Sequence, residues 1–168
     1  MVRQKSLFLS FISLLLILAA FFFIRFTKDT TIKRIKRNLT ILSSVVSKRA
    51  DTPLPFVTLL NVTKKIMATP CQLIVEEREL AGNYTPEQLA VLINRFRRQV
   101  VTSTLSFYDV NISLPQKGKA LIRCTVRLKG KTLARDSFDE FREFKIVAQR
   151  LKGKWRFTRL QEIEGLEK

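Results

Sequence analysis

The apolar period of this chain changes once, near Ser103, and that change limits the folds open to it. Before it, apolar residues recur at spacings of three and four, the pattern of helices with one buried face. After it they alternate, the pattern of strands with one covered and one wet face. Helices first and an antiparallel sheet second predict an α+β domain in which the helices cover the sheet.

The helical half is punctuated. Ile32, Ile35, Leu39, Leu42 and Val46 form one stripe over residues 30–47, and Pro53 and Pro55 end it. A second helix is expected from Phe56 to Ala68, then a strand over Cys71–Glu77 and a turn at Gly82-Asn83. Thr85-Pro86-Glu87-Gln88 is a helix start: threonine caps, proline takes the first turn and Gln88 completes a capping box. That helix should run to Val101, burying Leu89, Leu92, Ile93, Phe96 and Val100, with Arg95, Arg97 and Arg98 outside or at the edge.

Four extended runs follow, over residues 105–114, 119–128, 132–151 and 155–163. Lys129-Gly130 and Lys152-Gly153-Lys154 read as turns, and a bulge is expected near Arg135–Asp139. Trp155 and Phe157 share a face.

Upstream, Leu7–Ile24 is an apolar run of eighteen residues without charge, proline or glycine. At about 1.5 Å per helical residue it would cover most of a hydrocarbon core of roughly 30 Å. It predicts an uncleaved single-pass transmembrane helix, giving a tail and anchor over 1–29 and a domain over 30–168. The net charge is +17, and residues 25–50 hold eight Lys/Arg against Asp29 alone. Arg25, Lys28, Lys33, Arg34, Lys36 and Arg37 are therefore candidates for an anionic lipid surface. The positive-inside count keeps the domain in the cytoplasm, whereas a short basic tail before an apolar run begins an exported protein. The expectation is a membrane protein whose domain is extracytoplasmic, in a periplasm. Nucleic acid ranks low, since no zinc-finger spacing, phosphate loop or RNA-binding aromatic motif is present.

There is no histidine, which removes imidazole as base or ligand. No metal or cofactor is expected. Cys71 and Cys124 either bridge in an oxidising compartment or pack as small apolar side chains. Tyr108, Asp109, Asp139, Glu140 and Glu143 are the polar groups in or near strands that could act as acid or base. The last three interleave with Arg135, Arg142 and Lys145, which favours ion pairing on a wet face.

TPEQLAVLINRF (Thr85–Phe96), the terminal KGKWRFTRLQEIE and the order of elements resemble the nuclear transport factor 2-like superfamily, a cystatin-related α+β fold, over about Thr30–Ile163. With the N-terminal run, the chain is similar to its small bacterial membrane-anchored members. The resemblance implies a cone of three helices on a curved antiparallel sheet, with a pocket between. Some members are isomerases or dehydratases with pocket Asp, His or Tyr residues; the absence of histidine bars an Asp/His pair here.

Two functions are open. The first is a non-enzymatic, membrane-anchored binding or assembly domain, pairing as a homodimer or within an envelope complex. The alternative is a pocket enzyme of the isomerase or hydrolase type, using a buried carboxylate or tyrosine. It requires an open cavity containing a carboxylate or Tyr108. Phe107, Tyr108, Phe138, Arg142, Phe144, Trp155 and Phe157 are the pocket or core candidates.

Overall fold

The computed structural model describes residues 28–49, 53–75 and 80–163. The chain divides into two compact units, Met1–Arg34 and Ile35–Lys168. The second holds the strands of the described residues and the helical segments that cover them.

Helix α1, over residues 28–46, enters this unit at Ile35 and buries the expected stripe through Ile35, Leu39 and Leu42, with Val45 in place of Val46 at the last turn. Helix α2 is Phe56–Ile66 and α3 is Pro86–Gln99. The capping box of α3 is present: the Thr85 amide donates to Gln88 Oε1 at 2.8 Å, and the Gln88 amide donates to Thr85 Oγ1 at 3.3 Å. The strands are β1 (Met67–Val75), β2 (Leu80–Tyr84), β3 (Val100–Gln116), β4 (Lys119–Thr132), β5 (Ser137–Leu151) and β6 (Lys154–Ile163). They form one sheet in the order β2-β1-β6-β5-β4-β3.

The expected fold class is corrected on two points. The sheet has six strands and is not wholly antiparallel, because β1 pairs in parallel with β6. Reading only hairpin-linked neighbours misses this: the last strand of a meander has a free edge, and β1 fills it. Gly82-Asn83, expected as a turn, lies inside β2 and pairs with Leu73 and Gln72. Second, among the described residues no helix is long and apolar enough to cross a membrane. The Leu7–Ile24 run and Arg25 lie outside the described residues; Lys28, Lys33, Arg34, Lys36 and Arg37 are on α1, and all five are exposed.

Lys129-Gly130 is also no turn. Gly130 lies within β4, paired with Ser103 on one side and Phe138 on the other. A Cβ there would sit 2.3 Å from the Thr102 carbonyl oxygen and 2.7 Å from Phe138 Cζ. The glycine marks a close approach of backbones. The reversal comes later, where the Thr132 amide donates to the Asp136 carbonyl and Arg135 takes a positive φ of 69°. No bulge interrupts the β4–β5 pairing, which runs unbroken from Lys119↔Gln149 to Lys131↔Ser137.

Arg97 needs correcting as well. Expected at the edge, it is buried, at 8 % exposure. Its Nη1 donates to the carbonyls of Val45, at 3.0 Å, and Ser47. Ser103 Oγ donates to the Val46 carbonyl at 3.1 Å. These donors satisfy carbonyls that the end of α1 leaves without partners, and they fasten α1 to α3 and β3. Burial lowers the pKa of the guanidinium from its ordinary value.

Candidate active site

A cavity of about 310 Å³ lies between the inner face of the sheet and helices α1 and α3. Leu42 and Val46 of α1 and Leu89, Leu92, Ile93 and Phe96 of α3 form its roof. The floor comes from the sheet, with Met67, Leu73 and Val75 of β1 and Leu80 of β2 at one side and alternate residues of the other four strands beyond. On β5 these are Glu140, Arg142, Phe144 and Ile146; β4 adds Val126 and Leu128, β3 Leu105 and Phe107, β6 Leu160 and Glu162. The walls are otherwise apolar, so Glu140, Arg142 and Glu162 are the charged groups among the lining residues.

Glu162 is the focus. It is only 9 % exposed. Arg142 Nη1 lies 3.5 Å from its Oε1, while its Oε2 is buried and has no hydrogen-bond partner. A buried carboxylate oxygen without a donor costs free energy on the order of 1–3 kcal/mol. The residue that carries it lines a space large enough for a small organic molecule.

The backbone explains how a glutamate reaches that position. Strict alternation from Trp155 and Phe157 would turn residue 162 outward. The β5–β6 register slips between Val147 and Ala148, so that Phe157 pairs with Ala148 but Arg159 with Val147. Thr158 is the extra residue, and its hydroxyl donates to the Val147 carbonyl at 3.2 Å. Past this bulge Leu160 and Glu162 face inward. The sequence carried a signal of it: the apolar residues move from Trp155 and Phe157 to Leu160, which changes parity.

The sequence candidates divide. Phe107, Arg142 and Phe144 line the cavity. Trp155 and Phe157 are buried in the adjoining core. Phe138 is half-buried beside Gly130. Tyr108 is 44 % exposed and does not line the cavity. Ion pairing on a wet face describes Asp139, whose carboxylate is met by Arg127 at 2.7 and 2.8 Å. Glu140, on the same strand, lies on the cavity side instead. Asp109 is exposed and Glu143 lies on the outer face of β5.

Cys71 and Cys124 are both buried, free thiols. They stand on β1 and β4, with β6 and β5 between them in the sheet. At about 4.8 Å per strand that separation is roughly 14 Å, beyond the ~7 Å a bridge tolerates. Of the two readings left open for this pair, packing as small buried side chains is the one the sheet fits. Burial pushes the Cys71 thiol up to about 12 and that of Cys124 up to about 11. Among the described residues no three His, Cys, Asp or Glu side chains are grouped to hold a metal ion.

No family model matches the chain, and no curated protein matches it. Solved structures do. One is a nuclear transport factor 2-like superfamily protein from Salmonella enterica, with a TM-score of 0.64 and 12 % identity over 84 % of this chain and 98 % of that one. The chain has the nuclear transport factor 2-like fold. Hexachlorocyclohexane dehydrochlorinase LinA-type3 from Novosphingobium barchaimii superposes with a TM-score of 0.67, at 14 % identity, covering 81 % of this chain and 87 % of that one. A scytalone dehydratase-like protein from Novosphingobium aromaticivorans gives 0.66 at 10 % identity, over 81 % and 85 %. Identities this low carry the fold alone. The expectation of a non-enzymatic domain is nonetheless corrected: its neighbours of this fold include enzymes, and the open cavity with a carboxylate that the alternative required is present.

Proposed function

We propose that the cavity is the active site of an acid–base enzyme, of the isomerase or elimination kind, acting on a small, largely apolar substrate. One observation carries the reading: a nine-tenths buried glutamate lines an open apolar cavity, and its Oε2 has no protein donor. A turn of the terminal carboxylate torsion, which is broad, would present that oxygen to a substrate proton. Arg142, beside Oε1, is positioned to meet negative charge that develops on the substrate as the proton leaves. Glu162 is thus the proton acceptor and Arg142 the anion stabiliser. Glu140 stands two residues from Arg142 on the same strand face, about 7 Å along the strand, as a second carboxylate for proton return. The named activities of the dehydrochlorinase and dehydratase-like neighbours agree with such chemistry.

A generic carbon acid tests this without knowledge of the natural substrate. A nitrobenzisoxazole fits a cavity of this size and reports by colour. The base takes the ring C–H proton, the electron pair forms a nitrile, the N–O bond breaks and oxygen leaves as phenolate. The protein should accelerate ring opening well beyond an equal concentration of acetate at the same pH. Glu162→Gln, which keeps shape and removes the base, should cut the rate at least tenfold with an unchanged circular dichroism spectrum. A protein no better than acetate, or an unaffected Glu162→Gln variant, would defeat the proposal.

A further inference from the structure

The opposite face of the same sheet has a different character, and the acid–base reading does not use it. Residues that alternate with the cavity floor place Lys119, Arg123 and Arg127 of β4, Lys145 of β5, and Arg156 and Arg159 of β6 on the outer side. The acids on this side of β5 are Asp139 and Glu143, and Asp139 is already held by Arg127. Arg123 pairs directly opposite Lys145, a like-charged cross-strand pair that works against folding. Arg156 and Arg159 each have a buried Nε without a hydrogen-bond partner. Six cations against the two acids of β5, one of them already held by Arg127, leave this face net positive, which a polyanion would complement.

Two aromatic rings lie on that face beside the cations. Phe141 is 57 % exposed and Tyr108 44 %. The Arg127 guanidinium stands 5.0 Å from the Phe141 ring centre, and Tyr108 lies on the neighbouring strand, paired with Thr125. A cationic track with exposed rings is the composition of a surface for single strands, where phosphates meet the cations and bases stack on the rings. A second copy of the chain would oppose like charge with like charge. A flat bilayer follows this face less well than a flexible polyanion, because neighbouring strands turn by roughly 20–25°. A flexible polyanion can follow the twist.

We propose that the outer face of β3–β6 binds single-stranded nucleic acid through its backbone, with bases on Phe141 and Tyr108. This stands independently of the cavity. Binding of fluorescent oligo-dT and oligo-rU to the full chain, followed by anisotropy, tests it. With about four phosphates neutralised, raising salt from 50 to 200 mM should weaken binding roughly fiftyfold. Arg123→Glu with Lys145→Glu should abolish binding at 200 mM salt, and Arg123→Lys should preserve it. Phe141→Ala with Tyr108→Ala should weaken binding about tenfold or more without changing the salt slope. Lys36→Glu with Arg37→Glu, on α1, should matter much less. Equal loss from the α1 variant, indifference to the two rings, or equal competition by polyglutamate or phosphatidylserine vesicles would each overturn the proposal. So would absence of binding at 50 mM salt.

Discussion

Strand β5 carries an aromatic, an acid and a base on each of its two faces, and the two sets behave differently. Facing the helices are Phe138, Glu140, Arg142 and Phe144; facing water are Asp139, Phe141, Glu143 and Lys145. On the wet side Asp139 and Arg127 make a well-aligned two-point pair at 2.7 and 2.8 Å. The Arg127 guanidinium holds the Asp139 carboxyl below its ordinary range. On the dry side Arg142 and Glu162 meet at only 3.5 Å, and one glutamate oxygen is unmatched. The better-made ion pair stands where solvent screens it and lessens its worth. The poorer one stands where a missing partner costs most. A chain selected for stability alone would fill the cavity and pair its charges; this one keeps an unmet carboxylate where a ligand could meet it.

The contrast can be broken most forcefully through the two aromatics. Phe157 is fully buried under the helices, and Phe157→Ala should cost about 3–5 kcal/mol in urea unfolding. Phe141→Ala removes a ring of similar size from the wet face and should change stability by no more than about 0.5 kcal/mol. Next come the charges. Arg142→Met leaves Glu162 buried without its pair and should cost about 2–3 kcal/mol, below the usual range for a broken buried pair because Arg142 is partly exposed. Glu162→Leu should be neutral or stabilising while abolishing turnover of the carbon-acid probe. If Glu162→Leu destabilised as much as Arg142→Met, the glutamate would be structural and the active-site reading would weaken.

Legibility in the sequence tracks where the two-residue period holds. The α3 cap and the buried faces of Leu89 and β4 could be read directly, because capping geometry and alternation are local. The direction of Arg142 could not. Gly130 imitates a turn, and only contact with Thr102 and Phe138 shows that the glycine serves a close approach inside a strand. Glu162 was hidden by the bulge at Thr158, which exchanges the faces of everything after it. Arg97 was hidden because nothing local says that the carbonyls ending α1 will meet it. The parallel β1–β6 pair depends on residues more than eighty positions apart and has no local signature.

The thiols give a chemical version of the same contrast. With Cys71 pushed up to about 12 and Cys124 to about 11, neither should be alkylated by iodoacetamide at pH 8 in the folded protein, and both should react in urea. A thiol introduced outside, Asn111→Cys, should react in the folded state. The linked effect on stability has a definite sign. A raised folded pKa favours the neutral thiol, so the contribution is complete below the ordinary thiol range near 8.5–9 and disappears as pH climbs toward 11–12. The difference between wild type and Cys71→Ala should therefore shrink on the alkaline side.

The smallest effect belongs to the best-formed ion pair. Because the folded Asp139 carboxyl is held low, its contribution is present above the ordinary carboxylate range and is lost as pH falls through the lowered folded value. Arg127→Gln should thus lower the urea midpoint slightly at pH 6, and the difference should vanish as Asp139 is protonated at strongly acid pH. High salt at pH 6 should shrink it as well, since the pair is exposed and screened. By contrast, the deficit of Arg142→Met should shrink less with salt, because Glu162 is nine-tenths buried. A loss from Arg127→Gln as large as that from Arg142→Met, or one indifferent to salt, would mean that the outer face is a second buried environment in solution. A partner would then cover it even before nucleic acid is added.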